Sequence, residues 1–262
     1  MLILVVIFII GAVVGSFLNV CIARIPSGES VVRPPSHCPE CKSPIAFYDN
    51  VPLISYLVLW GHCRTCGRRI SPRYFVVELL TALLTTALYY QFGLGLAFLV
   101  AFVFVAALIV ISFIDLDFRI VPDVISLPGI VVGLIFSMVG RYLVSDPLDL
   151  VPTPISAIIG TVAGGGFLLA VAWLYERVTG VEGMGGGDIK LLAMIGAFLG
   201  WPSIPLTLFF SSLGGSVIGV ILMLGKGVGG KYALPFAPFL CFGALLYLFL
   251  GKQLMLFYLP PY

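Results

Sequence analysis

The chain has 262 residues, of which 60% are hydrophobic and 10% are charged, and its mean hydropathy is +1.15. This composition is too apolar for an ordinary soluble domain. The formal net charge of +2 at pH 7 is too small to indicate nucleic-acid binding, so no nucleic-acid partner is expected. The expected partner is instead the lipid bilayer around a polytopic membrane protein.

Apolar segments of roughly 18 to 25 residues are long enough to cross a bilayer as helices. By this criterion the sequence predicts an all-α membrane protein with about eight transmembrane helices, at residues 1–22, 74–91, 94–114, 123–141, 153–175, 188–202, 204–224 and 234–251. The first segment lacks the basic flank of a signal peptide, so we expect it to be retained. The sixth is short for a full crossing and is expected to be tilted or partly re-entrant.

When the predicted helices alternate in direction, the basic residues divide unevenly between the two sides. Twelve fall on one side, and only Arg141 and Lys252 fall on the other. The positive-inside rule makes the first side cytoplasmic. The chain then divides into a first transmembrane helix, a cytoplasmic loop, a seven-helix membrane core and a short C-terminal tail, at residues 1–22, 23–73, 74–251 and 252–262.

The cytoplasmic loop carries two CxxC pairs separated by 21 residues. Two such turns can present four thiolates tetrahedrally, which predicts a closed structural zinc site. Its ligands would be Cys38, Cys41, Cys63 and Cys66. A pair of disulfides or a redox motif is the alternative, but a cytoplasmic location disfavours stable disulfides. His37 and His62 each precede a pair, and we interpret them as solvated loop residues.

The acidic residues at the predicted cytoplasmic face fall in two clusters. Asp115 and Asp117 follow the third apolar segment, and Asp188 begins the sixth. Carboxylates distant in sequence would then meet at one membrane depth, and two carboxylates that share one proton suit an aspartic protease. The alternative is that these acids cap helices or pair with Arg119 or Lys190.

A glycine-rich run at residues 183–187 precedes Asp188. A helix cap alone does not need four glycines in five positions, and a glycine backbone can bend and be approached closely. We therefore expect Gly185 and Gly187 to let a substrate backbone lie beside the acids. The sequence contains no GxSxG or HExxH motif that would indicate another hydrolytic mechanism.

Several short motifs follow one another along almost the whole chain. They are Gly15-Ser16-Phe17-Leu18-Asn19-Val20, the two CxxC pairs, Asp49-Asn50-Val51-Pro52-Leu53-Ile54-Ser55-Tyr56, Asp115 with Val121-Pro122-Asp123, Gly185-Gly186-Gly187-Asp188 with Ile189-Lys190, and Pro235-Phe236-Ala237-Pro238-Phe239-Leu240. In these motifs the chain resembles the bacterial type IV prepilin peptidases. That family consists of GxGD-type membrane aspartic proteases that act as leader peptidases and N-methyltransferases.

The resemblance implies an inner-membrane enzyme whose catalytic residues are Asp115 and Asp188. Its substrates would be prepilins or pseudopilins of type IV pilus and type II secretion systems, cleaved after a short basic leader at the cytoplasmic face. The resemblance also implies N-methylation of the new amino-terminal residue with S-adenosylmethionine as methyl donor. The motifs leave the methyl-donor site unassigned.

Two polar residues within the first two apolar segments have more than one interpretation. Glu78 is a candidate for binding substrate or methyl donor, although pairing with Arg73 or Arg69 is the plainer interpretation. Asn19 is expected to make a hydrogen bond between helices rather than to take part in chemistry.

Two other classes of membrane protein stay open. A transporter would line a pathway across the bilayer with its acids, near the midplane rather than at one face. A non-catalytic assembly scaffold would use the cysteine-rich loop only to dock partners. The sequence does not predict an oligomeric state.

Overall fold

The structure is a computed structural model that describes residues 2–143, 151–181, 185–226 and 234–258. Within these ranges the chain forms helices and no β-strand. The helices are α1 (Leu2–Arg24), α2 (Ile54–Val58), α3 (Arg73–Phe92), α4 (Leu96–Phe118), α5 (Asp123–Leu143), α6 (Pro154–Thr179), α7 (Gly186–Leu199), α8 (Ser203–Lys226) and α9 (Ala237–Tyr258). A 3₁₀ turn at Phe47–Asn50 precedes α2.

The helices of the described ranges confirm the prediction of an all-α polytopic membrane protein. Apart from the short α2, they correspond one to one with the eight predicted segments. Six of them, α1, α3, α4, α5, α6 and α8, are long and apolar enough to cross a bilayer, and α9 carries a shorter apolar stretch at Ala237–Gly251. As expected, α7 is short, with 14 residues.

Helix α4 ends later than the sequence predicts. It continues to Phe118, so Asp115 and Asp117 lie in its last turn rather than after it. The helix stops at Arg119, whose φ of 58° is left-handed, and Pro122 follows three residues later. A left-handed residue and a nearby proline both end helices, whereas the fall in hydropathy at Asp115 does not.

The chain forms two compact units, Met1–Val110 and Ile111–Tyr262. In the first unit α1 packs along α3. Gly11 and Gly15 of α1 face α3 so closely that a Cβ added at Gly15 would lie 2.7 Å from the Cα of Glu78. This GxxxG spacing lets the two helix backbones approach, and it brings polar residues of both helices together.

In the second unit α7 lies at the centre, packed against α5, α6, α8 and α9. Every residue from Leu191 to Leu199 is buried. Gly160 and Gly164 of α6 allow this approach, since a Cβ at Gly164 would lie 2.7 Å from the carbonyl oxygen of Leu192. A helix enclosed by protein does not need the length of a lipid-facing span, so 14 residues suffice.

Some predicted features lie outside the described residues. They include Gly183, the first residue of the glycine-rich run that precedes Asp188. The division of the chain at residues 22, 73 and 251 stays a prediction.

Candidate functional site

Asp115 occupies the last turn of α4 and is 6% exposed. Its Oδ2 accepts a hydrogen bond from the backbone N–H of Ala237, the first residue of α9, across 3.1 Å. The positive charge of Arg119, one turn further along, also interacts with it. Burial disfavours a charge here, and the helix N-terminus and the nearby cation partly offset that cost for an ionised carboxylate.

Asp188 is the third residue of α7, which starts after Gly185. Its carboxylate lies close enough to that of Asp115 for the two charges to interact. The buried thiol of Cys241, on α9, is within electrostatic reach of both acids. The second unit therefore brings together two carboxylates that are 73 residues apart in the sequence (188 − 115).

The other acids near this pair have different surroundings. Asp123, the first residue of α5, accepts two hydrogen bonds from Nζ of Lys190 at 2.7 and 2.8 Å. This ion pair joins α5 to α7, which is the structural role that the sequence left open for an interfacial acid. Asp117 is exposed on the last turn of α4. Among these acids, Asp115 and Asp188 are the two whose charges act on each other.

The glycines before Asp188 have unequal surroundings. A Cβ added at Gly185 would meet nothing within 4 Å, whereas one added at Gly187 would lie 2.7 Å from the Cβ of Val121. The open space at Gly185 agrees with the expected room for a substrate backbone. At Gly187 a side chain is excluded for another reason, which is the close approach of Val121. Gly187 lets the start of α7 pack against the segment that joins α4 to α5, and it holds Asp188 near Asp115.

The two cysteine pairs of the first unit fold into matching turns. The N–H of Cys38 donates to the carbonyl of Ser43 at 2.9 Å, and the N–H of Cys63 donates to that of Arg68 at 2.8 Å. The residue after each second cysteine has a left-handed φ, 58° at Lys42 and 68° at Gly67. The sequence HCxxC occurs in both turns. Each turn closes with a β-bridge between two residues seven positions apart, His37 with Pro44 and His62 with Arg69.

The four thiols of these turns converge on one point. Their Sγ atoms all lie within 4.8 Å of one another, and those of Cys38 and Cys66 are 3.9 Å apart. A tetrahedron of sulfurs at about 2.3 Å from zinc has edges of about 3.8 Å. A disulfide needs about 2.0 Å between its sulfurs, so this spacing fits a shared metal ion and not a disulfide. Neither His37 nor His62 joins the cluster.

The environment of the thiols also suits metal binding. Hydrogen bonds from the hydroxyl and backbone of Ser43 lower the pKa of Cys41 to about 6. Backbone hydrogen bonds at Cys66 and Thr65 lower the pKa of Cys63. Cys66 has a pKa raised to about 11: a backbone hydrogen bond at Arg68 lowers it, but burial and contacts with the other thiols outweigh that effect. Thiolate is the form that binds metal, and the cluster already favours it at two positions.

An ion pair ties the second turn to the 3₁₀ turn. Arg64 donates two hydrogen bonds to Asp49, at 2.6 and 2.8 Å. These bonds hold the pKa of the Asp49 carboxyl below its usual range. The guanidinium of Arg64 also lies 5.7 Å from the ring centre of Tyr48. This two-point contact orders the loop between the cysteine pairs.

Comparison with known proteins places this architecture in a family. Residues 9–92 match the bacterial peptidase A24 N-terminal domain, and residues 102–220 match the type IV leader peptidase family. The chain is 36% identical to a prepilin leader peptidase/N-methyltransferase of Aeromonas hydrophila, over 98% of this chain and 93% of that protein. A protein of the same description from Pseudomonas aeruginosa is also 36% identical, with coverage of 96% and 91%. No solved structure gives a significant match.

This chain belongs to the type IV leader peptidase family. The resemblance drawn from the sequence motifs is thereby confirmed. The first family match, at residues 9–92, lies within the first compact unit, and most of the second match, at residues 102–220, lies within the second unit. The cysteine cluster lies in the first unit of this leader peptidase family member, and the acid pair lies in the second.

Two contributors to these sites were not singled out from the sequence. The first is the backbone N–H of Ala237, which binds Asp115 from 122 residues away. The sequence signals for it are the motif from Pro235 to Leu240, which contains Ala237, and Pro238 itself, because proline is common in the first turn of a helix. The second is the Gly11-to-Gly15 spacing, a recognisable small-residue motif that positions α1 against α3.

Glu78 and Asn19 lie on facing helices of the first unit. Oε2 of Glu78 accepts from the backbone N–H of Leu53 at 2.8 Å, and the hydroxyl of Ser16 also hydrogen-bonds to this carboxylate. Nδ2 of Asn19 donates to the carbonyl of Tyr74 at 3.0 Å, which is the expected hydrogen bond between helices.

Proposed function

We propose that this chain is a membrane aspartic endopeptidase that removes the leader of type IV prepilins or pseudopilins and then N-methylates the new amino-terminal residue. The pairing of Asp115 with Asp188 is the observation that carries the proteolytic half of the proposal. The names of the relatives support both halves.

The two carboxylates divide the acid and base roles according to their surroundings. Asp115 holds the negative charge, because the N–H of Ala237 and the charge of Arg119 stabilise it. Among the described residues no hydrogen-bond donor is recorded for the Asp188 side chain, so the shared proton resides there. Two like charges at close range cannot both persist at neutral pH, which keeps one carboxyl protonated.

Hydrolysis then follows from this arrangement. Asp115 takes a proton from a water molecule, whose oxygen forms a bond to the carbonyl carbon of the scissile peptide. Asp188 gives its proton to the carbonyl oxygen as that oxygen gains charge. Collapse of the tetrahedral intermediate breaks the carbon–nitrogen bond: Asp115 gives its proton to the new amine, and Asp188 takes a proton back from a hydroxyl of the intermediate as the carbonyl re-forms. The pair returns to its starting state with one proton between the two acids.

The substrate is a chain with a short basic leader, a glycine and then an apolar helix. Asp115 and Asp188 both lie at helix ends in the second unit, so they suit a peptide bond just outside the hydrocarbon region. The excess of basic residues predicted on this side supports a location at the cytoplasmic face of the inner membrane.

The proposed enzyme uses a structural zinc ion and S-adenosylmethionine as a methyl donor. Cys38, Cys41, Cys63 and Cys66 hold a structural zinc ion, which stabilises the fold of the loop and takes no part in proteolysis. S-adenosylmethionine supplies an electrophilic methyl group for the amine that cleavage exposes.

A mass-based assay tests the proposed function. Membranes that contain the protein are incubated with a prepilin-like substrate, and the product is expected to lose the mass of its leader and then gain that of one methyl group. Inhibitors of serine, cysteine and zinc proteases are expected to leave cleavage unchanged. A substrate whose mass stays the same under these conditions would refute the proposal.

The two glycines before Asp188 provide a matched pair of variants. Gly187→Ala is expected to slow leader cleavage by about tenfold or more, because the added Cβ meets Val121 and displaces the start of α7. Gly186→Ala places its Cβ in open space and is expected to retain cleavage within about twofold. Equal rates for the two variants in the mass assay would show that packing against Val121 does not position Asp188.

A further inference from the structure

The first unit contains a cavity of about 740 Å³. Its walls are one end of α1, one end of α3, the 3₁₀ turn and both cysteine turns, and Cys38 and Cys63 are among the lining residues. The volume falls in the range of sites that bind small molecules. The residues that line this cavity all belong to the first unit, whereas both carboxylates assigned to proteolysis lie in the second.

One wall of the cavity carries an unusual set of hydrogen-bond acceptors. Glu78 is only 8% exposed, and a carboxylate can accept about four hydrogen bonds. The described protein donors that reach it are the N–H of Leu53 and the hydroxyl of Ser16. Acceptor capacity therefore remains at a buried negative group.

Asn19 lies on the same wall and adds a second acceptor. Its side chain is fixed because Nδ2 is bonded to the carbonyl of Tyr74. Its Oδ1 is buried and has no hydrogen-bond partner among the described residues. An unsatisfied buried acceptor costs about 1–3 kcal/mol, so such a group beside a cavity indicates a donor that none of the described residues supplies.

The packing of α1 on α3 fixes these acceptors in place. Gly15 is the residue that lets Ser16 and Asn19 of α1 come close to Glu78 of α3. Leu53 contributes its N–H from a left-handed conformation, with φ of 63°, which a leucine rarely adopts. The site is therefore preorganised by the fold rather than formed by mobile side chains.

The rest of the cavity suits a different part of a ligand. Tyr48 and Tyr74 offer aromatic rings, and Arg68 and Arg69 offer positive charge. Aromatic rings bind planar bases and cationic sulfur, and arginine binds carboxylates. This combination matches a ligand that carries an amino acid group and a nucleoside.

We propose that the cavity is the site of N-methylation, and that Glu78 and Asn19 bind a primary ammonium group within it. This inference rests on the proposed function, from which it takes the methyl-transfer reaction. An ammonium group has three N–H donors and one positive charge, which match the acceptors and the charge of this wall. Two sources of that group are present in the reaction: the amino acid end of the methyl donor, and the new amino terminus of the cleaved substrate.

The reaction is balanced with either source. The ammonium group of the substrate loses one proton to give a neutral amine, whose lone pair then forms a bond to the methyl carbon while the carbon–sulfur bond breaks and its electron pair remains on sulfur. The products are a methylated ammonium group and a neutral thioether. Glu78 accepts the proton when the bound ammonium is that of the substrate, and water accepts it when the ammonium belongs to the donor.

Glu78→Gln is the variant that tests this proposal, because it removes the charge and keeps the size and an acceptor. Binding of S-adenosylhomocysteine and of methylthioadenosine, which lacks the amino acid group, is measured by calorimetry on the full-length protein. Methylation of a mature pilin peptide with a free amino terminus is measured in parallel. If the donor is the source, we expect S-adenosylhomocysteine to bind at least tenfold more weakly while methylthioadenosine is unaffected.

If the substrate is the source, we expect both nucleosides to bind Glu78→Gln as they bind the unmodified protein. The KM for the mature peptide is then expected to rise at least tenfold. Either outcome supports an ammonium site, and together the measurements identify its occupant. Unchanged binding of both nucleosides with unchanged KM and kcat for the peptide would overturn the proposal.

The unmodified protein provides a test that does not depend on the folding of a variant. S-adenosylhomocysteine is expected to bind at least tenfold more tightly than methylthioadenosine, or the free-amine peptide to compete at least tenfold better than its N-acetylated form. If neither preference is found, no ammonium site exists.

Two controls separate this proposal from the proposed function. Glu176→Gln, an exposed acid on α6, is expected to match the unmodified protein in every assay. Glu78→Gln is expected to retain leader cleavage and zinc content. Failure of the unmodified protein to cleave and methylate the substrate would contradict the proposed function itself. Normal methylation by Glu78→Gln would contradict only the ammonium site.

Discussion

Asp188→Asn is expected to lower the rate of leader cleavage by at least about 10³-fold, and Asp115→Asn is expected to do the same. An amide can neither hold the shared proton nor take a proton from water, so each variant removes one half of the pair. Both variants are expected to remain in the membrane, because the substitutions change no apolar contact of α4 or α7. The measurement is the initial rate of leader loss, followed by mass.

Asp117→Asn is the matched control for this pair of variants. Asp117 lies two residues from Asp115 on the same turn of α4, but it is exposed. We expect its replacement to change the cleavage rate by less than about threefold.

The Asp188→Asn variant is also expected to methylate a substrate that has already been cleaved. Loss of both leader cleavage and methylation in the Asp188→Asn variant would contradict the assignment of the two activities to two separate sites.

Removal of zinc is expected to abolish methylation before it affects proteolysis. Cys38→Ser and Cys63→Ser each delete one of four ligands, so bound zinc is expected to fall from about one per chain to a small fraction of that value. Both residues also line the cavity, and loss of the metal therefore disrupts its wall. The measurements are metal content by atomic emission, leader cleavage and methyl transfer on one preparation.

Cys21→Ala is the control for the cysteine variants. Cys21 is buried on α1 and does not belong to the four-thiol cluster. Its replacement is expected to leave zinc content unchanged. Unaltered zinc in Cys38→Ser and Cys63→Ser would exclude the four-cysteine site, and full methylation by a metal-free protein would contradict the order in which the activities are lost.

Much of this structure follows from local sequence. Long apolar segments predict the helices of the membrane core because each must satisfy its backbone hydrogen bonds internally. The two CxxC turns predict the metal cluster, since thiolate spacing of this kind has few other uses. The short sixth segment also behaves as expected, although its burial between four helices explains its length better than a tilt does.

The features that escaped prediction depend on contacts between distant residues. The N–H of Ala237 and the side chain of Val121 become partners of the acid pair only through packing of α9 and α7. Hydropathy placed the end of α4 before Asp115, but Arg119 and Pro122 determine where that helix stops. The acceptors of the cavity likewise come from α1 and α3, which are joined by the whole cysteine-rich loop.

The most direct test of the account is leader removal by Asp188→Asn, measured beside the unmodified protein at equal membrane abundance. Intact prepilin-like substrate is supplied, and the masses of the leader and of the remaining chain are followed over time. We expect rapid release of the leader by the unmodified protein and no detectable release by the variant. Release at the same rate by both proteins would contradict hydrolysis by the Asp115 and Asp188 pair.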